Sequence, residues 1–391
     1  MTSGSGEVVL GIERSLTGKR WEASAYDERC ARALGQRFGL SDVVSRVLSA
    51  RGVELDEAET FLNPSLRSLL PDPSSLKDME EAAVRLAGGI VAGQTIGIFG
   101  DYDVDGATSA ALLHRFIEAV GGKIEIYVPD RINEGYGPNL PALLTLKEKG
   151  IDLVVTVDCG ITAFEPLAGA AEAGMDVVVV DHHVAEPRLP AAAAVVNPNR
   201  LDDDSAMGGL AAVGVVFLLV IAINRQLRAD GWYQNREEPN LMQWLDLVAL
   251  GTVCDVVPLV GLNRAFVSQG LKIMARRSNV GIRALADVAS VDEVPTAYHA
   301  GFILGPRVNA GGRVGEAGMG ARLLTTPNAD EARDIALRLD SWNKERRELE
   351  ARCLEEAVEQ VERDGMADGL VYATAENWHP GVIGIVAGRL K

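Results

Sequence analysis

The feature that most constrains this chain is a set of three short apolar runs that each stop at an aspartate. The runs are Thr95–Gly100 before Asp101, Leu153–Val157 before Asp158, and Val177–Val180 before Asp181. A short apolar run that is closed by polar or glycine residues predicts a buried strand of a parallel sheet. Ligands bind beyond the carboxyl ends of such strands, so we expect the three acidic ends to meet at one edge of the sheet.

Strands and helices alternate through the first half of the chain, which predicts an α/β fold with a mostly parallel sheet and flanking helices. The expected strands are 95–100, 123–128, 153–157, 176–181 and 194–197. The expected helices around them are 80–93, 107–120 and 163–173.

The second half of the chain reads as helical. We expect a buried apolar helix at 208–228, a helix at 240–251 that ends before Asp255, one long polar helix at 328–364, and a new strand at Leu370–Ala373. This pattern predicts a long connecting helix and the start of a second α/β domain, so we expect the chain to be cut within that domain. The expected divisions are an N-terminal helical region 1–78, the sheet domain 79–326, the connecting helix 327–366 and the partial domain 367–391.

The composition constrains the partners and the cellular location that we expect for the protein. The 391 residues carry a net charge of −17, which by itself argues against a nucleic-acid partner unless bound metal neutralises part of it. Four scattered cysteines form no CxxC pair. The chain shows no secretory signal pattern and no uninterrupted apolar stretch of about 18 residues. These features predict a reduced, cytoplasmic location without a membrane partner.

Two motifs carry residues suited to metal binding. Asp101, Asp103 and Asp105 alternate, so on an extended segment they would face one side, and their hard oxygen atoms suit Mg²⁺ or Mn²⁺. The alternative is a helix cap in a solvated acidic loop. His182 and His183 follow a strand, where one imidazole can bind metal while the other faces a substrate. Imidazole beside carboxylates favours Mn²⁺ over Mg²⁺.

One more motif, further along the chain, adds a single acid. Asp255 lies among apolar neighbours, where a carboxylate should be paired or ligating. The alternative is a buried aspartate that is bonded to backbone amides.

In this order, the motifs GDYDVDG, VDCG, VDHH and GTVCDVVPL resemble the four signatures of the DHH phosphoesterase superfamily. The segments RINEGYGPN, GPRVNAGGR and SLTGKRW resemble its RecJ branch of single-strand-specific exonucleases, and NWHPGVIGIVAGRLK resembles the start of that family's second, DHHA1 domain. The resemblance implies a 5′→3′ exonuclease of DNA repair and recombination that acts on single-stranded DNA and releases 5′-mononucleotides. The alternative is a DHH phosphoesterase that cuts short oligonucleotides or cyclic dinucleotides.

The resemblance also implies a two-metal site with two divalent cations, Mn²⁺ or Mg²⁺. Its expected ligands are Asp103, Asp105, Asp158, His182 and Asp255. Asp158 would be the bridging carboxylate, Asp101 a ligand or an adjacent catalytic acid, and His183 a catalytic contact to the scissile phosphate.

Four further residues are candidate nucleic-acid contacts. For Arg131 the resemblance implies phosphate binding, and the alternative is a salt bridge to Asp130 or Glu134. For Arg307, Asn309 and Arg313, which lie in a glycine-rich stretch, the alternative is a structural turn whose arginines pair with nearby acids. Tyr136 could stack a base or lie buried in its turn. A single-strand-binding protein or a helicase is a further partner that the resemblance implies.

Overall fold

The computed structural model describes residues 8–364 and 369–391, and the chain divides into two compact units at Leu69. The first unit is helical. Its helices are α1 (Glu28–Phe38), α2 (Asp42–Ala50), α3 (Ala58–Leu62) and α4 (Leu66–Leu69). Asp27 caps α1 by accepting hydrogen bonds from two backbone N–H groups of its first turn. Leu34, Leu48 and Val53 lie in its small apolar core.

The second unit, Leu70–Lys391, is built on one parallel sheet of five strands. The strands are β1 (Thr95–Gly100), β2 (Lys123–Tyr127), β3 (Leu153–Val157), β4 (Asp176–Val180) and β5 (Ala194–Val196), in the order β2-β1-β3-β4-β5. All four pairings are parallel. The predicted α/β class and all five strands are confirmed, to within one residue at each end.

The helices of the sheet region cover both faces of the sheet. They are α5 (Met79–Val91), α6 (Val104–Ala119), α7 (Leu140–Glu148), α8 (Phe164–Glu172) and α9 (Ala212–Ala229). Residues of α7 and α8 share a core with alternate strand residues such as Val154 and Val179. By length and composition α9 is apolar enough to cross a membrane, and 72% of that window is buried inside the fold. This burial agrees with the predicted core helix.

The remaining helices follow the sheet. They are α10 (Leu245–Cys254), α11 (Gly261–Met274), α12 (Val280–Val288), α13 (Gly305–Val314), α14 (Met319–Thr325), α15 (Ala329–Asp364) and α16 (Pro380–Leu390). A π-helical turn, His299–Leu304, leads directly into α13. The start of α15 is close to the predicted residue 328, and at 1.5 Å per residue its 36 residues span about 54 Å. Its last turns share a small core with α16 through Cys353, Ala357 and Val382.

Two local predictions and one alternative are wrong. The predicted strand Leu370–Ala373 does not form: Leu370 makes an isolated bridge, and residues 371–373 have no regular secondary structure. The helix that was predicted to stop at 251 continues to Cys254, and its buried residues extend to Thr252. The glycine-rich stretch is not a turn but helix α13, where glycine permits close packing: a Cβ on Gly312 would lie 2.7 Å from the carbonyl oxygen of Tyr102.

Candidate metal centre

The carboxyl ends of β1, β3 and β4 are adjacent in the sheet, and they bring the predicted acids and histidines together. Three groups of side chains each place one ligand atom per residue within 4.8 Å of the others. The groups are Asp101–Asp103–Asp158, Asp105–His182–Asp255 and Asp158–His182–His183. The sheet order reverses between β1 and β3, which is where open α/β sheets bind ligands. All residues that were predicted as metal ligands therefore lie in one cluster.

The first motif reaches this cluster through a helix start, not through an extended strand. Asp103 is the N-cap of α6, and its Oδ1 accepts hydrogen bonds from the N–H groups of Asp105 (2.8 Å) and Gly106 (3.1 Å). The prediction that Asp101, Asp103 and Asp105 alternate along an extended segment is wrong, because the helix already begins at Val104. Asp103 is therefore both the helix cap and a candidate ligand.

Asp105 is anchored at the N-terminus of a second helix. Its two carboxylate oxygens accept hydrogen bonds from the N–H groups of Ala212 (2.6 Å) and Val213 (2.9 Å) at the start of α9. Gly251 of α10 packs so closely that an added Cβ would lie 2.3 Å from Thr108 Oγ1 and 3.0 Å from Asp105 Oδ1. Asp105 is thus held in place from two sides.

Asp158 is the central carboxylate, because it belongs to two of the three groups. It is 2% exposed and has a φ of +61°, a left-handed conformation that aspartate tolerates better than most residues. Its N–H donates to the carbonyl oxygen of Val180 (3.0 Å), and its own carbonyl accepts from the Tyr136 hydroxyl (3.2 Å). This arrangement fits the predicted bridging role.

His182 is oriented as a ligand. Its Nδ1 lies 2.9 Å from the carbonyl oxygen of Leu210, which can only accept, so Nδ1 carries the hydrogen and Nε2 has a free lone pair. Nε2 lies 3.3 Å from Asp158 Oδ1 and 3.9 Å from Asp105 Oδ2. It is buried and has no hydrogen-bond partner among the described residues.

His183 is held by Asp181, a role that the sequence interpretation missed. Asp181 Oδ1 accepts from His183 Nδ1 (2.7 Å) and from the N–H of His182 (2.7 Å), and its Oδ2 accepts from the N–H of Ile161 (3.0 Å). The bond from Asp181 raises the pKa of His183. Burial opposes ionisation of Asp181, but the hydrogen bond and charge of His183 hold its pKa below the ordinary value. His183 is 48% exposed in its side chain, so its other nitrogen can reach a substrate.

Asp255 completes the cluster as the residue that caps the C-terminus of α10. Its Oδ2 lies 3.7 Å from His182 Nδ1. In the part of the chain that the structure describes, this buried oxygen has no hydrogen-bond partner, so the alternative of an aspartate satisfied by backbone amides does not hold for it.

The buried carboxylates of the cluster need positive charge nearby in order to ionise. Burial, followed by repulsion from neighbouring carboxylates, raises the pKa of Asp101 to about 7 and raises the pKa values of Asp105 and Asp158 well above their ordinary range. Asp101 Oδ1, like the Asp255 and His182 atoms above, is buried without a partner within residues 8–364 and 369–391. Carboxylate oxygens with one imidazole suit a hard or borderline divalent cation. The residues present therefore fit a bound metal.

A rim of aromatic and basic side chains borders the acids. The guanidinium of Arg131 lies 5.1 Å from the ring centre of Tyr102. Tyr136 packs edge-on against Tyr102 (6.4 Å) and His183 (6.2 Å) and is 53% exposed, so it is not buried in its turn. The alternative of a salt bridge from Arg131 is not found among the described residues: Asp130 accepts from N–H groups of its own turn, and Glu134 accepts from the N–H of Asp130.

The three candidates on α13 have different surroundings. Arg307 Nε donates to Asp340 (2.9 Å), so the alternative of a paired arginine describes it. Asn309 Oδ1 accepts from the N–H of Val104 (3.1 Å) and fixes the start of α6. Arg313 donates to the carbonyl oxygen of Gly381 (3.1 Å). Burial, followed by the charge of Arg131, lowers the pKa of Arg313.

Known proteins resemble the chain along most of its length. Residues 95–252 match the DHH family, N-terminal domain. The single-stranded-DNA-specific exonuclease RecJ of Dickeya dadantii (strain 3937) is 42% identical over 363 residues, which cover 90% of this chain and 62% of that protein.

Two solved structures are also similar. A crystal structure of exonuclease RecJ bound to manganese has a TM-score of 0.72 and 36% identity, and the match covers 81% of this chain and 77% of that one. RecJ in complex with Mn²⁺ from Thermus thermophilus has a TM-score of 0.78 and 32% identity over 94% of this chain and 51% of that one.

Curated relatives with 34–42% identity are longer, and the chain spans 46–63% of their length. The solved RecJ structures share the fold of this chain, and in this chain the acids and the histidine pair converge on one site. The chain belongs to the RecJ group of the DHH family.

Proposed function

We propose that the chain is the catalytic part of a metal-dependent exodeoxyribonuclease that is specific for single-stranded DNA, works 5′→3′ and releases 5′-mononucleotides. The observation that carries the proposal is the position of Asp158, whose carboxylate lies both in the Asp101–Asp103 group and in the histidine group. A carboxylate that is shared in this way suits two cations held side by side. The substrate comes from the named activity of the relatives. The 5′→3′ polarity is what the family resemblance of the motifs implies.

Two groups of residues would hold the cations. Asp103 and Asp158, with Asp101 beside them, would hold one ion; the other ligands are Asp105, His182 and Asp255, which with Asp158 would hold the second. When bound, Mn²⁺ or Mg²⁺ supplies Lewis-acid charge and lowers the pKa of water, so that hydroxide is available to attack phosphorus.

The side chains around the cluster bind and orient the substrate. The Asp181 bond fixes the ring of His183 and raises its pKa, which favours the protonated imidazole. In that form the exposed nitrogen would donate a hydrogen bond to a nonbridging phosphate oxygen and stabilise the added charge of the transition state. Arg131 and Arg313 place positive charge beside this point and would bind phosphate. These local cations offset the overall charge of −17 where the substrate approaches.

The cellular setting follows from this activity. The protein would act inside the cell, in the cytoplasm, during DNA repair and recombination. A single-strand-binding protein or a helicase would supply the single strand. Residues 79–326 would form the phosphoesterase domain, 327–366 the connecting helix, and 367–391 part of a DHHA1 domain, after the N-terminal region 1–78.

The proposal is tested by incubating the chain with Mn²⁺ and a 5′-phosphorylated single strand of twenty nucleotides, beside a dinucleotide. We expect stepwise release of 5′-mononucleotides from the long strand, and loss of all hydrolysis in Asp158→Ala with an unchanged circular dichroism spectrum. The matched control is Asp152→Ala, which removes a 56% exposed carboxylate just before the opposite end of the same strand. An unchanged rate in Asp158→Ala would contradict the proposal.

Cleavage of the dinucleotide alone would favour the alternative, a DHH phosphoesterase that acts on short oligonucleotides or cyclic dinucleotides. The two-metal chemistry would then stand, and binding of long strands would be excluded for this chain.

A further inference from the structure

Two aromatic rings stand exposed side by side outside the metal centre. Tyr298 is 62% exposed and Phe302 is 73% exposed, and their rings stack with centroids 5.3 Å apart and an angle of 26° between planes. Exposed apolar groups that cluster in this way mark binding surfaces more often than scattered ones do. The outer faces of the rings remain available to a flat ligand.

Phe302 lies in the π-helical turn His299–Leu304, and Tyr298 directly precedes this turn. Such turns are rare, and they occur frequently at functional sites. The turn packs against the end of α10, because Cys254 Sγ donates to the carbonyl oxygen of Ala300 (3.4 Å) and a Cβ on Gly301 would lie 3.2 Å from Val253. Asp255 directly follows Cys254 in the chain, so the turn that carries the aromatic pair packs against the residue next to a candidate metal ligand.

A third apolar side chain is exposed at the same helix end. Val256 directly follows Asp255, is 84% exposed and has a φ of +62°. A β-branched residue rarely adopts this conformation, and strained residues cluster at functional sites. Burial does not explain a valine at this position, because its side chain lies in solvent. Its place beside the metal ligand suggests contact with a bound molecule.

We infer that Tyr298 and Phe302 form a stacking platform for the bases of a single strand whose end lies in the metal centre, and that Val256 contacts the same strand. This inference rests on the proposed function and names the part of the substrate that this surface binds. Aromatic rings stack on any base, so the contact does not depend on sequence. Glu293, which bonds to His299 (3.0 Å), places negative charge nearby, so uncharged bases suit this surface better than phosphates do.

The platform would favour single strands over duplexes. Bases of a duplex are stacked and paired with each other, so their faces are not free to contact the rings. Arg131 and Arg313 would bind the phosphate at the end of the strand, while the aromatic pair would select for unpaired bases behind it.

The test measures binding of a 5′-phosphorylated twenty-nucleotide strand and of an equally long strand whose internal positions are abasic. Both are measured in the Asp158→Ala background, in which the strand is not cut. We expect Phe302→Ala to weaken binding of the normal strand about 5- to 150-fold, the range for loss of one stacked base, and to leave the abasic strand unchanged. Phe302→Trp should keep tight binding. The control is Tyr372→Ala, which removes another exposed aromatic side chain (75%).

Fluorescence gives a second readout. A 2-aminopurine base that is quenched in the complex should brighten in Phe302→Ala and not in Tyr372→Ala. If Phe302→Ala loses equal affinity for the normal and the abasic strand, or loses affinity for neither, the stacking platform is overturned. Hydrolysis by the unmodified chain would still support the nuclease proposal in that case. Absence of both binding and hydrolysis in the unmodified chain would instead overturn the proposed function.

Discussion

The substitution Asp101→Asn should stabilise the metal-free protein at pH 8, although it removes a residue of the metal centre. Asp101 is 5% exposed, and one of its oxygens is buried without a partner among the described residues. Burial, then the charge of Asp103, raises its pKa from 3.8 to about 7. At 1.36 kcal/mol per pKa unit, ionising this carboxyl costs the folded state about 4 kcal/mol.

The sign of the pH dependence follows from this shift. The folded state binds the proton more tightly than the unfolded state, so the free energy of unfolding falls as the pH rises from about 4 through 7. The neutral amide avoids this loss but leaves buried polar atoms that cost about 1–3 kcal/mol. We therefore expect Asp101→Asn to gain about 1–3 kcal/mol at pH 8 and to gain nothing at pH 5.

Urea unfolding in the presence of a chelator, followed by tryptophan fluorescence, measures both values. Saturating Mn²⁺ should reverse the order at pH 8, because the unmodified chain then has a counter-charge for the carboxylate and the variant has lost a carboxylate beside the ion. A variant that is less stable than the unmodified chain by the same amount at both pH values would refute the reasoning.

Three further predictions concern the same centre. Asp181→Asn should lower the hydrolysis rate about 10- to 100-fold and shift the ionisation of His183 to lower pH, with near-normal Mn²⁺ affinity, as measured by pH–rate profiles and calorimetry. An unchanged profile would exclude the orienting role. Gly251→Ala should lose Mn²⁺ binding and thermal stability together, because its Cβ would lie 2.3 Å from Thr108 Oγ1. Wild-type stability would contradict that packing. Mn²⁺ at about 100 times its dissociation constant should stabilise the protein by about 2.7 kcal/mol per ion and raise its melting temperature, and a chelator should reverse this. No shift at that concentration would argue against a preformed site.

The sheet and the convergence of its acidic strand ends could be predicted because both depend on local pattern. Apolar runs that end on acids, such as the one before Asp158, specify a strand and its terminal residue together. Parallel pairing then places neighbouring strand ends at one edge, so residues far apart in the chain meet without further information. The position of Asp255 does not follow from local pattern alone, because the packing of α10 against α6 and α9 brings it to His182.

Side-chain direction and helix packing account for what was missed. The orienting bond from Asp181 to His183 depends on which way adjacent side chains point, and the motif does not specify this. Helix α13 forms despite its glycines because they let its backbone approach Tyr102 closely, a tertiary effect that overrides local helix propensity. The pairing of Arg307 depends on Asp340, which lies on α15.

The number of Mn²⁺ ions that bind per chain tests the central claim most directly. Calorimetric titration at pH 8 should give two ions for the unmodified chain and at most one for Asp158→Ala, while Asp152→Ala should keep two. One ion or none in the unmodified chain, or two in Asp158→Ala, would contradict a centre that is built around a shared carboxylate.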